Sequence, residues 1–120
     1  MICIIKYIDE VEFFESLSHA SDKLRAKVLK TLLSIERMGL IVVDIDSLKD
    51  GLFEIRVKHD SNIFRVIFFY DHVQRSCIVV THGFVKKSQK IPRRELLKAR
   101  KRYKEYKEGY ISENSDTKNA

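Results

Sequence analysis

Tryptophan is absent from this 120-residue chain, proline occurs once and glycine four times. So few turn-formers exclude collagen-like and Pro/Gly-rich low-complexity classes. Cys3 and Cys77 stand alone, with no CxxC pair and no Cys/His cluster at metal-ligand spacing. That argues against a zinc module or a disulfide scaffold; the thiols read as small buried hydrophobes in a reducing compartment. No apolar run approaches the ~20 residues of a membrane span. The apolar part of the opening MICIIKYIDE is too short for a signal peptide, and acids follow it directly. The expectation is a soluble, cytoplasmic protein with no membrane partner.

What is present suits one globular domain. The chain is 44% hydrophobic and 33% charged, enough to bury a core without metal or disulfide staples. The expected domain covers residues 1–110, and the polar segment 111–120 is expected to be a disordered tail. Net charge is +6 and unevenly spread: residues 81–110 carry eleven Lys/Arg against three Asp/Glu, and the rest of the chain is nearly balanced. One basic segment therefore points to a polyanionic partner.

The β-branched run Ile2–Ile8 predicts a first strand. Asp9 can cap a short helix on which Val11, Phe14 and Leu17 share a face. Ser21 or Asp22 starts a second helix, with Leu24, Val28, Leu32 and Ile35 on one face and Gly39 as terminator. Residues 40–51 read as an irregular connection. Three strands follow, in LFEIRVKHD, IFRVIFFYD and CIVVTHGF, joined by short turns that imply antiparallel pairing. Pro92 suits the first turn of a final helix whose Leu96, Ala99, Tyr103, Tyr106 and Tyr110 line one side. The predicted fold class is α+β: a small antiparallel sheet in the order β-α-α-β-β-β-α, two N-terminal helices on one face, and a basic C-terminal helix.

Three segments, 48-LKDGLFEIRV-57, 64-FRVIFFY-70 and 78-IVVTHGFVKKSQKIPRREL-96, with Ala99 and Arg102 after them, resemble one family. In this order and spacing they look like the RelE/ParE superfamily of toxins, in its phage-related HigB-like branch. The resemblance implies a RelE-like fold and the toxin half of a type II toxin–antitoxin pair. It implies an antitoxin partner in a hetero-oligomer, and mRNA cleavage on the translating ribosome. Other branches act on DNA gyrase, so a gyrase-directed or non-catalytic toxin stays open. So does a degenerate basic domain that binds nucleic acid or protein.

Cleavage of RNA without metal or other cofactor needs a proton acceptor for the 2′-OH, a stabilised phosphorane and a proton for the leaving 5′-oxygen. Arg and Lys suit the second task, because their charges match phosphate oxygens. Alternation points Arg56 away from Phe53, Ile55 and Val57, toward the uncovered side of the sheet, and Arg65 can share that side. Both match arginine positions of the family, as Lys86 and Lys87 match its doubled lysine. Opposing readings pair the arginines with a nearby acid, Glu54 or Asp71. His82 is the one histidine inside a predicted strand, either an acid/base candidate or a packed residue beneath the site. Phe84 either stacks on a base or belongs to the core. Lys58, Lys90, Arg93, Arg94, Lys98 and Arg102 are candidate RNA contacts, sequence-blind and salt-sensitive. Their bland alternatives are a solvated face and an acidic antitoxin. Ile91 stands where the family often has a threonine, so the usual cap of the last helix is missing.

Overall fold

The computed structural model describes the backbone of residues 2–86 and 90–119 and the side chains of residues 2–86 and 90–109. Strand β1 (Ile4–Tyr7) leads into helices α1 (Glu10–Leu17) and α2 (Asp22–Met38). A short 3-10 turn (Leu40–Val42) and strand β2 (Ile45–Ser47) follow. Strands β3 (Phe53–His59), β4 (Asn62–Tyr70) and β5 (Cys77–Lys86) complete the sheet, and helix α3 (Arg93–Asn119) closes the chain.

The helix ends follow the chemistry of their boundary residues. Asp9 accepts a hydrogen bond from the Glu12 N–H at 3.0 Å, and Ser21 accepts one from Leu24 N–H at 3.2 Å. Each satisfies a donor that has no partner inside its helix. Gly39 ends α2 at φ 82°, a conformation that glycine adopts without a Cβ penalty. Leu24, Val28, Leu32 and Ile35 are buried as their spacing predicts. Helix α1 is turned from its predicted orientation: Phe13 and Leu17 are buried, whereas Val11 and Phe14 are exposed. Its backbone stays helical because the cap and helical period fix it; the buried face is set by the sheet beneath.

The five strands run in the order β1-β5-β4-β3-β2. Pairs β2–β3, β3–β4 and β4–β5 are antiparallel, while β1 lies parallel to β5. The α+β class stands, and the sheet is mixed, not wholly antiparallel, because no tight turn ties β1 to its neighbour. Strand β2 lies in what reads as an irregular connection, since its three residues are too few to show a period.

Two cores form, one on each face. Helices α1 and α2 cover Ile55, Val57, Phe64, Val66, Phe68, Ile78 and Val80. Helix α3 places Ala99 against Leu52, Ile67, Phe69 and Val79, with Tyr103 and Tyr106 beside them. Full burial of a phenylalanine such as Phe64 or Phe69 is worth about 1.5–3 kcal/mol. The first core is tight at Gly83, where a Cβ would stand 2.7 Å from the Phe64 ring and 2.9 Å from Phe13. The second core corrects one expectation: the sheet face carrying Arg56 and Arg65 is covered in part by α3. The backbone of α3 remains helical into the segment expected to be a tail, and no proline interrupts it.

A bulge in β5 decides what reaches that second face. Ile67 pairs with His82 and Phe68 with Val80, leaving Thr81 as the extra residue. The shift turns His82 and Phe84 to the side of Val79 and Phe69. By alternation Lys86 follows Phe84 on the same face.

Candidate active site

A row of side chains crosses the α3 face of the sheet. Arg56 on β3 pairs directly with Arg65 on β4, and Arg65 pairs with Phe84 on β5. Two like charges side by side repel, so each arginine needs an acid. Glu54 lies two residues before Arg56 on the same face, and Asp46 of β2 stands opposite Glu54. Arg65 Nη1 donates to Glu54 Oε1 at 2.6 Å. Arg56 Nε lies 3.4 Å from that same oxygen, and Arg56 Nη2 forms a close ion pair with Asp46.

Burial separates the two arginines. The Arg65 and Glu54 side chains are 1% and 2% exposed, while that of Arg56 is 31% exposed. Arg65 is thus an internal strut, and Arg56 is the arginine that meets solvent. Burial pushes the Glu54 carboxyl above the usual range, against the opposing pull of Arg65 and Arg56. Glu54 Oε2 is buried and has no hydrogen-bond partner among the described residues. The cluster opens on a cavity of about 320 Å³, with Lys90 at its rim and Leu48, Ile91 and Leu96 in its walls. A carboxylate, an accessible guanidinium and an ammonium thus converge on one space.

The other predicted residues divide by position. His82 is 3% exposed, lies 2.9 Å from Thr81 Oγ1 through Nδ1, and stacks on Phe84 with ring centroids 5.8 Å apart. Burial and the charges of Lys98 and Arg102 hold its pKa down at about 4, so it is neutral near pH 7. Phe84 is half-buried beside the second core. Lys86 is partly exposed at the end of β5, and Lys87 lies outside the described residues. Lys58, Lys90, Arg93 and Arg94 are exposed.

Lys98 and Arg102 turn inward. Both bind Glu12 of α1, Lys98 through Oε1 and Arg102 through Oε2 at 2.6 Å. Arg102 Nη1 also donates to the Thr81 carbonyl at 2.6 Å. These bonds tie α3 to α1 and to the bulge. The sequence named Glu54 as an acid partner for the arginines, and the structure has that pairing, while Asp71 pairs with Lys6 and Tyr106 instead. As site residues Glu54, Asp46 and Glu12 were not singled out, although Glu54 had a signal, an acid on the polar face of β3 beside Arg56. Asp46 had none because the three residues of β2 show no period, and Glu12 had none because its partners lie at the far end of the chain.

A family model described as phage derived protein Gp49-like (DUF891) matches residues 15–104. None of the curated proteins matches. Among solved structures, the toxin–antitoxin complex RelBE2 from Mycobacterium tuberculosis aligns at 12% identity with TM-score 0.49. That alignment covers 72% of this chain and 100% of the other. A mutant of the E. coli toxin RelE in the free state aligns at 12% identity and TM-score 0.49, covering 70% of this chain and 83% of that one. The family match spans most of the domain and contains all three segments that carried the resemblance: this chain belongs to the phage-derived Gp49-like family.

Proposed function

We propose that this protein is a RelE-type toxin of a toxin–antitoxin pair and an endoribonuclease that cleaves mRNA on the ribosome, so blocking translation. The observation that carries the reading is the convergence of Glu54, Arg56 and Lys90 on one cavity above the buried Arg65. Glu54 Oε2 takes the proton of a ribose 2′-OH, a task that suits a carboxyl with a raised pKa. The 2′-oxygen then attacks the adjacent phosphorus, and the P–O5′ bond breaks. Arg56 neutralises the charge that develops on the phosphorane oxygens. A lysine ammonium, Lys86 or Lys90, supplies the proton to the departing 5′-oxygen. The products are a 2′,3′-cyclic phosphate and a 5′-OH, and no metal enters the scheme. Arg65 acts through Glu54 by holding Oε1, which leaves the buried Oε2 as the oxygen without a partner among the described residues. His82 carries no proton here, because its neutral, buried ring packs beneath the site.

The exposed Lys90, Arg93 and Arg94 at the start of α3 would follow the RNA backbone. The same segment suits an acidic antitoxin. Inducing the protein and mapping mRNA 5′ ends by primer extension, with and without a block at the start codon, tests the reading. Discrete ends that need translation are expected.

One observation favours a second reading, a toxin that acts by contact alone. Both arginines already carry a carboxylate, as they would in a purely structural cluster. Growth arrest with intact mRNA would select it.

A further inference from the structure

We propose that the side of α3 carrying Leu96, Arg100, Tyr103 and Lys107 is a second RNA subsite, where an unpaired base of the strand leaving the cavity stacks on His72. The inference deepens the ribonuclease reading and rests on its claim that RNA enters the cavity. The four residues recur at intervals of four, three and four, so they share one side of the helix. The turn between β2 and β3 runs beside them. Leu96 and Leu48 both line the cavity, Arg100 Nη2 lies 3.6 Å from Asp50 Oδ2, and Gly51 packs against the Tyr103 ring. From Leu96 to Tyr103 the helix axis advances about 10 Å, a reach of a few nucleotides.

The far end of this path is a preorganised stack of rings. Phe69 lies under Tyr103 with ring centroids 4.4 Å apart, and His72 lies nearly parallel to Tyr103 at 5.8 Å and 16°. Tyr103 Oη stands 3.4 Å from His72 Nε2. A Cβ at Gly51 would stand 2.9 Å from the Tyr103 ring, and the turn there holds φ at 84°, so glycine suits the position on both counts. The turn bearing His72 is fixed as well. Asp71 Oδ1 accepts from the Val73 and Gln74 N–H groups at 2.8 and 2.9 Å, and the Tyr106 hydroxyl donates to Asp71 Oδ2 at 2.6 Å. Phe69 is fully buried, Tyr103 half-buried and His72 exposed. The stack thus leads from the core to a flat ring open to solvent, held in place before any ligand arrives.

Charge along the path suits phosphates. Lys107 Nζ stands 4.2 Å from the Tyr103 ring centroid, so an ammonium flanks the ring pair. Arg100 lies between that pair and the cavity, where Arg56 and Lys90 stand. Two acids are near. Asp50 meets Arg100 in a pair exposed on both sides, which a phosphate can replace at little cost. The Asp71 side chain is 7% exposed and is taken up by Tyr106, the turn amides and Lys6. Cations interleaved with an exposed ring match single-stranded RNA, since every base offers a π-face and every nucleotide a phosphate. An acidic protein segment would satisfy the cations and leave the ring unused.

The test uses the whole chain and 2′-O-methyl RNA, which has no 2′-OH to attack phosphorus and so stays intact. A fluorescent octamer is compared with an abasic octamer that keeps the phosphates and with an octapeptide of glutamate. The readouts are fluorescence anisotropy and the His72 ring signals in NMR, assigned with His72→Ala. The octamer should bind saturably and move those signals upfield, as ring stacking does. His72→Ala, at an exposed position and checked by circular dichroism, should weaken octamer binding about fivefold or more and leave the abasic octamer unchanged. Unmoved His72 signals with the octamer bound, equal weakening of both octamers, no binding of the octamer, or tighter binding of the glutamate peptide would overturn the proposal. Ribosome-dependent cleavage with unmoved His72 signals would remove the subsite alone. Moved signals with uncut mRNA would keep the subsite and remove the catalysis.

Discussion

Arg65 and Glu54 meet inside the sheet, Nη1 to Oε1 at 2.6 Å, with almost no exposure of either side chain. The pair links neighbouring strands and sets the carboxylate in a dry place, with Oε2 buried and without a hydrogen-bond partner among the described residues. Its first consequence concerns which arginine to mutate. Arg65→Ala would leave a buried carboxylate without its partner, and breaking a buried pair from one side costs about 3–5 kcal/mol. We expect Arg65→Ala to unfold or to accumulate poorly, measured by thermal melting. Arg56→Ala, on the exposed side, should melt within about 1 kcal/mol of wild type and lose toxicity. A well-folded, inactive Arg65→Ala would contradict this division.

Glu54→Gln separates charge from shape. The amide can still accept from Arg65, so the fold should hold. As the proton acceptor is lost, RNA cleavage should fall about 100- to 10,000-fold. Single-turnover cleavage with circular dichroism beside it checks both halves. Retained cleavage would remove Glu54 from the mechanism.

Glu12 anchors α3 through Lys98 and Arg102. Glu12→Ala removes the acceptor for two charged donors and should cost about 2 kcal/mol. Hydrogen exchange should quicken first in α3. Uniform destabilisation with no added opening of α3 would argue against a local tie.

Acid should weaken the fold in two steps. His82 has a folded pKa held at about 4, below the ordinary 6.5. Between those values the unfolded chain binds the extra proton, so stability is complete above pH 6.5 and declines as pH falls toward 4. Asp71 follows. Partial burial pushes its carboxyl up, but donors from Gln74 N–H, the Tyr106 hydroxyl and Val73 N–H, with Lys6 nearby, hold it at about 2. Its contribution is present above pH ~3.9 and declines as pH falls toward 2. Denaturant melts across pH 2–8 should show both regions. Tyr106→Phe should reduce the lower one, by about 1 kcal/mol.

Much of this architecture could be read from the chain. Asp9, Ser21 and Gly39 mark helix ends by local chemistry, and the four buried positions of α2 share a face at any viable helical geometry. The alternation of Glu54 and Arg56 with Phe53 and Ile55 fixed the two faces of β3. Other features depend on distant contacts. The turn of α1 that buries Phe13 instead of Phe14 is chosen by packing on Phe64. The bulge at Thr81 is invisible to a period of two, yet it brings His82 and Phe84 to the arginine face. Burial of Arg65 could be read only once α3 was known to cover that face. Glu54 was visible as an acid beside Arg56, but its raised pKa comes from a sheet and a helix that no short window contains.

The most direct test gives purified protein ribosomes programmed with a defined mRNA and sequences the 3′ ends after a short reaction. Wild type should leave discrete fragments ending in 2′,3′-cyclic phosphate, and Glu54→Gln and Arg56→Ala should leave the message intact. Intact mRNA with wild type, under conditions where the same preparation arrests growth when expressed, would contradict the account and turn attention to a toxin that works by binding.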